Sequence, residues 1–235
     1  MENYKKMKTI IVIPVRGNSK GIKKKNLINF CGKPLLYWSI IQAKKSRFKK
    51  NIYISSEDMN ILKLAQSLGV NTIQRPLSLC KDNSRSESAI KHIINNIDYK
   101  IDNIIFLQAT SPLRMPKDID NAYNKFIKTN SDSLFSCHRA VDWFDIWKYK
   151  NRKYTPITID YKKRKPRQKF KEIHLCQNGS IYIFKNKILN KYNNRLGGKI
   201  NVYEMNEWQS LQLDDIRQLD HMELFFKSHL KKYYV

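Results

Sequence analysis

From residue 8 to residue 15 the chain reads Lys-Thr-Ile-Ile-Val-Ile-Pro-Val, and it then passes directly into a loop holding Gly17 and Gly21. A β-branched run with no polar alternation suits a strand buried on both faces, inside a parallel sheet covered by helices above and below. Residues 34–46 (PLLYWSIIQAKKS) next space apolar side chains as a helix does, with Pro34 suited to its first turn. The rhythm recurs. A strand over 52–55 precedes a helix over 57–69 that closes at Gly69, and a helix over 84–96, a strand over 103–108, a helix over 117–128 and a strand over 132–137 follow. This alternation predicts an α/β fold with a doubly wound, mainly parallel sheet.

Residues 143–175 break the rhythm. Aromatic residues crowd the start of this stretch, and a basic run (YKKRKPRQK, 161–169) follows, so it reads as an excursion from the core. Strands over 180–184 and 199–205 then resume the sheet, and an amphipathic helix over 216–232 ends the chain. With no internal repeat and no low-complexity linker, residues 1–235 read as a single domain with an inserted arm at about 143–175.

Forty-five Lys and Arg against 20 Asp and Glu give a formal charge of +25, which predicts attraction to a polyanion: a nucleic acid, a nucleoside triphosphate or a membrane surface. The cations are scattered over almost every segment, without the aromatic pattern or finger spacing of a nucleic-acid module, which argues against a basic RNA-binding protein. Much of the lysine surplus travels with Ile and Asn, as an AT-rich genome produces. No stretch approaches the roughly 20 apolar residues of a membrane span, and residues 1–6 (MENYKK) carry no signal-peptide core, so the expectation is a soluble cytoplasmic protein with no membrane partner. Cys31, Cys80, Cys137 and Cys176 show no CxxC spacing and read as reduced, largely buried thiols.

Only seven glycines occur, and three of them, Gly17, Gly21 and Gly32, fall just after the first strand. In α/β sheets ligands bind outside the carboxyl ends of strands, where turn amides and helix N-termini hold phosphate. The loop over 16–26 (RGNSKGIKKKN) occupies such a place but matches neither GxxxxGK[ST] nor GxGxxG, which lowers the weight of P-loop and dinucleotide readings. It does combine small residues for close backbone approach with several cations for a triphosphate.

The run IPVRGNSKGIKKKN (13–26) followed by GKPLLYWSI (32–40) resembles the opening signature of the acylneuraminate cytidylyltransferases. The resemblance continues at Gln74, Arg75 and Pro76 with residues 82–88, at LQATSPLR (107–114) and at QNGSIYI (177–183), in the family's order over nearly the whole chain. It implies a nucleotidyltransferase fold of Rossmann-like type. The implied reaction is transfer of CMP from CTP to the anomeric hydroxyl of a nine-carbon α-keto acid sugar, sialic, legionaminic or similar, with release of pyrophosphate. A related class activates an eight-carbon 3-deoxy-octulosonate sugar and shares the GKPL element. The TSPLR block and Asn178-Gly179 favour the nine-carbon branch, and residues 208–214 loosely resemble its legionaminic members.

Carried over residue by residue, the resemblance implies that Arg16, Gly17, Asn18, Ser19, Lys20, Lys25 and Asn26 form the nucleotide loop, with Arg16 and Lys25 neutralising phosphate. Arg75, Asp82, Ser84 and Ser88 match the segment flanking cytosine and ribose. Gln108, Asn178 and Tyr182 match sugar-site positions, with Gln108 at the end of a central strand. The alternative for Gln108, Ser111 and Arg114 is turn chemistry around Pro112. Arg16, Lys25, Gln108 and Asp214 are the implied catalytic set.

The implied cofactor is Mg²⁺ or another divalent cation, held in the family by an Asp-x-Asp pair. Here the corresponding stretch is SLQLDD (210–215): Gln212 stands at the first Asp and Asp214 at the second, with Asp215 or Gln212 as alternates. A neutral amide binds a hard cation more weakly than a carboxylate. Asp214 and Asp215 also suit a helix N-cap before Ile216. The excursion over 143–175 matches in position the family's dimerisation arm, which implies a homodimer with arms exchanged over the active sites. Arg167, within the basic run, is the implied partner of a sugar carboxylate across that interface.

Overall fold

The computed structural model describes residues 7–17, 21–81, 83–140, 146–163, 166, 169 and 173–234. In chain order its strands are β1 (Thr9–Pro14), β2 (Asn29–Phe30), β3 (Lys33–Pro34), β4 (Ile52–Ser56), β5 (Asn71–Gln74), β6 (Asn103–Leu107), β7 (Ser133–Arg139), β8 (Trp147–Lys150), β9 (Lys153–Pro156), β10 (Leu175–Lys185) and β11 (Ile200–Glu204). Seven of them form one sheet in the order β11-β7-β10-β6-β1-β4-β5. The pairs β1–β4, β1–β6, β4–β5 and β7–β11 are parallel. β10 runs antiparallel to both its neighbours, β6 and β7.

The sequence of β1 explains why the sheet is covered on both sides. Ile11 and Ile13 point to one face, where Leu36 and Ile40 of α1 (Leu35–Lys44), Ile61 of α2 (Met59–Ser67) and Phe126 of α4 (Asp118–Lys128) pack on them. Ile10 and Val12 point to the other, against Ile90 and Ile93 of α3 (Ser86–Asn95) and Leu189 of α5 (Asn186–Tyr192). A two-residue period that is apolar at every position can be satisfied only between two helix layers.

A third cluster joins the two ends of the chain. Phe30, Leu35 and Trp38 pack on Leu213, Met222, Phe226 and Leu230, with the Trp38 indole donating to the Phe30 carbonyl at 2.7 Å. The expected helix over 216–232 is segmented here: a 3-10 turn (Ile216–Gln218), α6 (Leu219–Phe225), a π-turn (Phe226–Leu230) and α7 (Lys231–Tyr234). Its apolar face is served all the same, because these turns keep Met222, Phe226 and Leu230 on one side.

The rhythm reading missed β5 and α5, and β10 is longer than the expected 180–184. Its first residues, Leu-Cys-Gln-Asn-Gly, carry no strand pattern because the register with β7 shifts between Gln177 and Tyr182, where Gly179 takes φ +68°. Within the excursion, β8 and β9 form a separate hairpin turned by Asn151 and Arg152, both left-handed as a two-residue type I′ connection requires. It presents Trp147, Tyr149 and Tyr154 to solvent. Among the described residues no helix is long and apolar enough to cross a membrane.

Candidate active site

After β1 the chain proceeds to β4 and β5 on one side, then crosses to β6 on the other, so the strand order reverses between β1 and β6. A crevice must open where the connections diverge. A cavity of about 420 Å³ lies there, lined by Arg16, Lys25, Asn26, Arg75, Gln108 and Asp214 among others. A second, of about 540 Å³, adjoins it and is lined by Gln108, Gln177, Tyr182 and Arg195 with Glu87. Gln108 and residues 84–86 line both.

The loop after β1 is held from below. Glu57 Oε1 accepts the Gly17 amide at 2.8 Å, and its Oε2 lies 3.1 Å from Arg75 Nη2. The buried Arg75 guanidinium also donates to the Val15 carbonyl and, through Nε, to Cys80 Sγ at 3.1 Å. Arg75 thus fixes the loop's exit from β1 while its edge borders the cavity. Burial works to raise the Glu57 carboxyl, and its own backbone amide, the Gly17 amide, Arg75 and Cys80 together outweigh it, holding the group below the ordinary glutamate range. A side chain on Gly17 would meet Asp58 Cβ at 2.6 Å, where Asp58 caps α2 through the Asn60 amide. Asn26, also buried, donates its amide to the Arg16 carbonyl at 2.8 Å. Arg16 in turn reaches the Lys81 carbonyl at 3.4 Å.

The carboxyl end of the core comes back to this loop. Leu213 donates its amide to the Thr110 carbonyl at 2.9 Å, which sets Asp214 at the rim, and Asp214 Oδ1 meets Lys25 Nζ at 2.8 Å. The Asp214 side chain is 68% exposed. Asp215 is engaged elsewhere: it caps the turn at Ile216 and pairs with Arg217, which holds its carboxyl down at about 2. Gln212 donates its amide to the Asn178 carbonyl at 2.6 Å and packs against Gly179.

Gln108 is set by a residue behind it. Arg114, 0% exposed, donates through Nη2 to the Gln108 carbonyl at 2.6 Å and to the Ser180 carbonyl at 2.8 Å, and through Nη1 to Ser39 Oγ and Gln42 Oε1. All four acceptors are neutral; burial lowers the pKa of the cation, and the charges of Tyr234 and Asp118 oppose that shift. Asn178 is buried too: its Oδ1 accepts from Ser136 and from the Ser180 amide, turning the side chain into the sheet. Tyr182 stacks on Phe106 at 5.5 Å and accepts a hydrogen bond from Gln177. Ser84 borders both cavities, while Ser88 lies on α3 and lines neither. Asn18, Ser19, Lys20, Asp82 and Arg167 lie outside the described residues.

The motif reading did not single out Arg85, Glu87 or Arg195. Glu87 and Arg195 are 108 residues apart and meet only in the fold, at 2.9 Å. The sequence signal available was the start of α3 itself, since a helix N-terminus that opens at the switch point brings its first residues to the ligand.

Fold and crevice together define an α/β protein of the nucleotidyltransferase type. The solved structure of CMP:2-keto-3-deoxy-manno-octonic acid synthetase complexed with CTP is similar in fold, with a TM-score of 0.72 at 17% identity, covering 95% of this chain and 100% of that one. The family model described as cytidylyltransferase matches residues 10–232, and the chain belongs to the cytidylyltransferase family. It is 31% identical to N-acylneuraminate cytidylyltransferase A of Danio rerio over 205 residues, 86% of this chain and 47% of that protein. It is 36% identical to the pseudaminic acid cytidylyltransferase of Campylobacter jejuni over 134 residues, 55% of this chain and 58% of that protein. The chain thus spans about half the length of these curated relatives.

Proposed function

We propose that the protein transfers CMP from CTP to the anomeric hydroxyl of a nine-carbon α-keto acid sugar and releases pyrophosphate. The observation that carries this reading is the pair of adjoining cavities that share Gln108: one bordered by Arg16, Lys25 and Arg75, suited to a triphosphate, the other by polar and aromatic groups suited to a sugar. Relatives named for N-acylneuraminate and for pseudaminic acid support the nine-carbon class. The eight-carbon synthetase resembles this chain in fold alone, at 17% identity.

In the reaction the sugar hydroxyl attacks the α-phosphorus in line and pyrophosphate leaves. The protein's share is positioning and charge neutralisation. Arg16 and Lys25 take the phosphate charge, Asn26 holds the loop through the Arg16 carbonyl, and Gln108, fixed by Arg114, orients the sugar beside the α-phosphate. The residues present fit a divalent cation: Asp214 is an exposed carboxylate on the cavity wall, and Mg²⁺ is commonly held by one or two carboxylates plus substrate phosphates. Among the described residues no cluster of three His, Cys, Asp or Glu could hold a metal ion. When bound, Mg²⁺ supplies charge stabilisation on the triphosphate. Asp215 is paired with Arg217, and the Gln212 amide nitrogen is spent on the Asn178 carbonyl, which supports Asp214 as the carboxylate ligand.

The reading includes a homodimer joined through the arm, supported by the exposed aromatic residues of the β8–β9 hairpin. A cytoplasmic setting is supported by four free cysteines. The test is pyrophosphate release with each nucleoside triphosphate against a set of nine-carbon keto acids. Release specific to CTP with such a sugar is expected; a folded protein that releases pyrophosphate with none of them contradicts the reading.

A further inference from the structure

The second cavity contains a charged cluster centred on Glu87 and Arg195, which line it and not the first cavity. Glu87, at the start of α3, is only 3% exposed, yet it faces two guanidinium groups: Arg195 Nε at 2.9 Å from its Oε1 and Arg85 Nε at 3.5 Å from its Oε2. Arg195 follows α5, and its guanidinium carbon stands 4.7 Å from the Tyr182 ring centre and 4.8 Å from that of Phe106, two rings stacked at 17° to each other. Burial works to raise the Glu87 carboxyl, and the hydrogen bond and charge of Arg195 outweigh it, so the acid stays ionised.

Three constraints therefore fix Arg195: a charge-assisted bond at Nε and two aromatic rings. That is more than core stability asks of an arginine on a surface turn, since its side chain keeps 18% exposure and lies on the cavity wall. Among the described residues its Nε–H is the group that is bonded, which leaves the Nη edge for something else. A guanidinium edge offers two parallel donors to a planar acceptor, and a stacked, ion-paired arginine has already lost its rotamer freedom. Two arginines against one glutamate leave the cluster with a net single positive charge, matched to a monoanionic sugar acid.

We infer that Arg195, held by Glu87 against Phe106 and Tyr182, is a specificity-determining residue of this cavity that donates its Nη edge to a planar acceptor of the sugar acid, either the carboxylate or an N-acyl carbonyl. The inference rests on the second cavity being the sugar pocket. It is tested by steady-state pyrophosphate release with Arg195→Ala and Arg195→Lys, titrating sugar and CTP separately. Loss of a charge-assisted pair of donors raises the sugar KM by about 10- to 100-fold in Arg195→Ala. Lysine keeps the charge without the planar fork and restores little of it. The CTP KM stays within about twofold of wild type in both variants, which also establishes that they are folded.

A nine-carbon keto acid with a hydroxyl in place of the N-acyl group separates the two acceptors. An Arg195→Ala penalty of the same size with this sugar assigns the carboxylate, and a penalty that vanishes assigns the acyl carbonyl. A sugar KM unchanged in both variants, full rescue by lysine, or equal rises in both KM values overturns the inference and leaves the proposed reaction standing. A wild-type protein inactive with every nine-carbon sugar removes that reaction and this inference together.

Discussion

Lys25 Nζ stands 2.8 Å from Asp214 Oδ1, so a cation of the opening loop and an acid of the closing segment meet at the cavity rim across 189 residues of chain. The pair is poorly suited to holding the fold together, because an ion pair with one partner largely in water contributes about 0–1 kcal/mol. It is well suited to exchange. In the proposed reaction Asp214 would hold a divalent cation and Lys25 would meet phosphate, each exchanging one opposite charge for another. Asp214→Asn should therefore lower kcat by about 100-fold while leaving the melting temperature nearly unchanged. An equally large loss of melting temperature would identify the pair as structural instead.

Glu57 ties the Gly17 amide and the Arg75 guanidinium together beneath the loop that follows β1. Removing one partner of a buried pair strands the other, at a cost of about 3–5 kcal/mol. Glu57→Gln should lower the melting temperature and raise the CTP KM together. The pH dependence follows from the depressed carboxyl of Glu57. A group whose pKa is lowered on folding contributes stability that is present above its unfolded value, about 4.3, and lost as pH falls through the lower folded value. Denaturant midpoints between pH 6 and pH 3 should fall for the wild type more steeply than for Glu57→Gln.

Arg114 holds the Gln108 carbonyl at 2.6 Å and would act on the proposed chemistry only through that residue. Arg114→Lys keeps the charge but cannot span Ser39, Gln42, Gln108 and Ser180 at once. The expected outcome is a loss of about 3 kcal/mol in stability and, at a temperature where the variant is folded, a kcat reduced more than the CTP KM is raised. Thermal unfolding and initial rates together check this.

These two networks show what the chain made legible and what it did not. The apolar run at 8–15 determines β1 outright, since Ile10 to Ile13 have nowhere to go but between helices, and the glycine loop that follows is where the cavity lies. The antiparallel direction of β10 was not readable, because residues 180–184 are buried on both faces and look the same in either direction. The supporting contacts were hidden for a different reason. Glu57 with Arg75 and Glu87 with Arg195 are ordinary surface-type residues in the sequence, and only the fold takes them out of water and pairs them. Arg75 carried a nucleotide-binding expectation, and its guanidinium is largely spent on Val15, Glu57 and Cys80 beside the cavity.

The β8–β9 hairpin places Tyr149 and Tyr154 opposite each other at 4.7 Å between ring centres, both exposed. An aromatic pair outside the main sheet gains stability when a partner covers it. Tyr149→Lys combined with Tyr154→Lys should convert a dimer to a monomer by light scattering, with the far-ultraviolet dichroism of the core unchanged. A wild-type protein that is already monomeric at high concentration contradicts the arm-mediated dimer.

The proposal that two adjoining cavities hold one pair of substrates is tested most directly by pyrophosphate release by the wild-type protein with CTP and Mg²⁺, comparing nine-carbon N-acylated keto acids with an eight-carbon keto-deoxy sugar. Turnover is expected with at least one nine-carbon acid at a kcat/KM at least about tenfold above that for the eight-carbon sugar. Turnover confined to the eight-carbon sugar, or none with either, contradicts it.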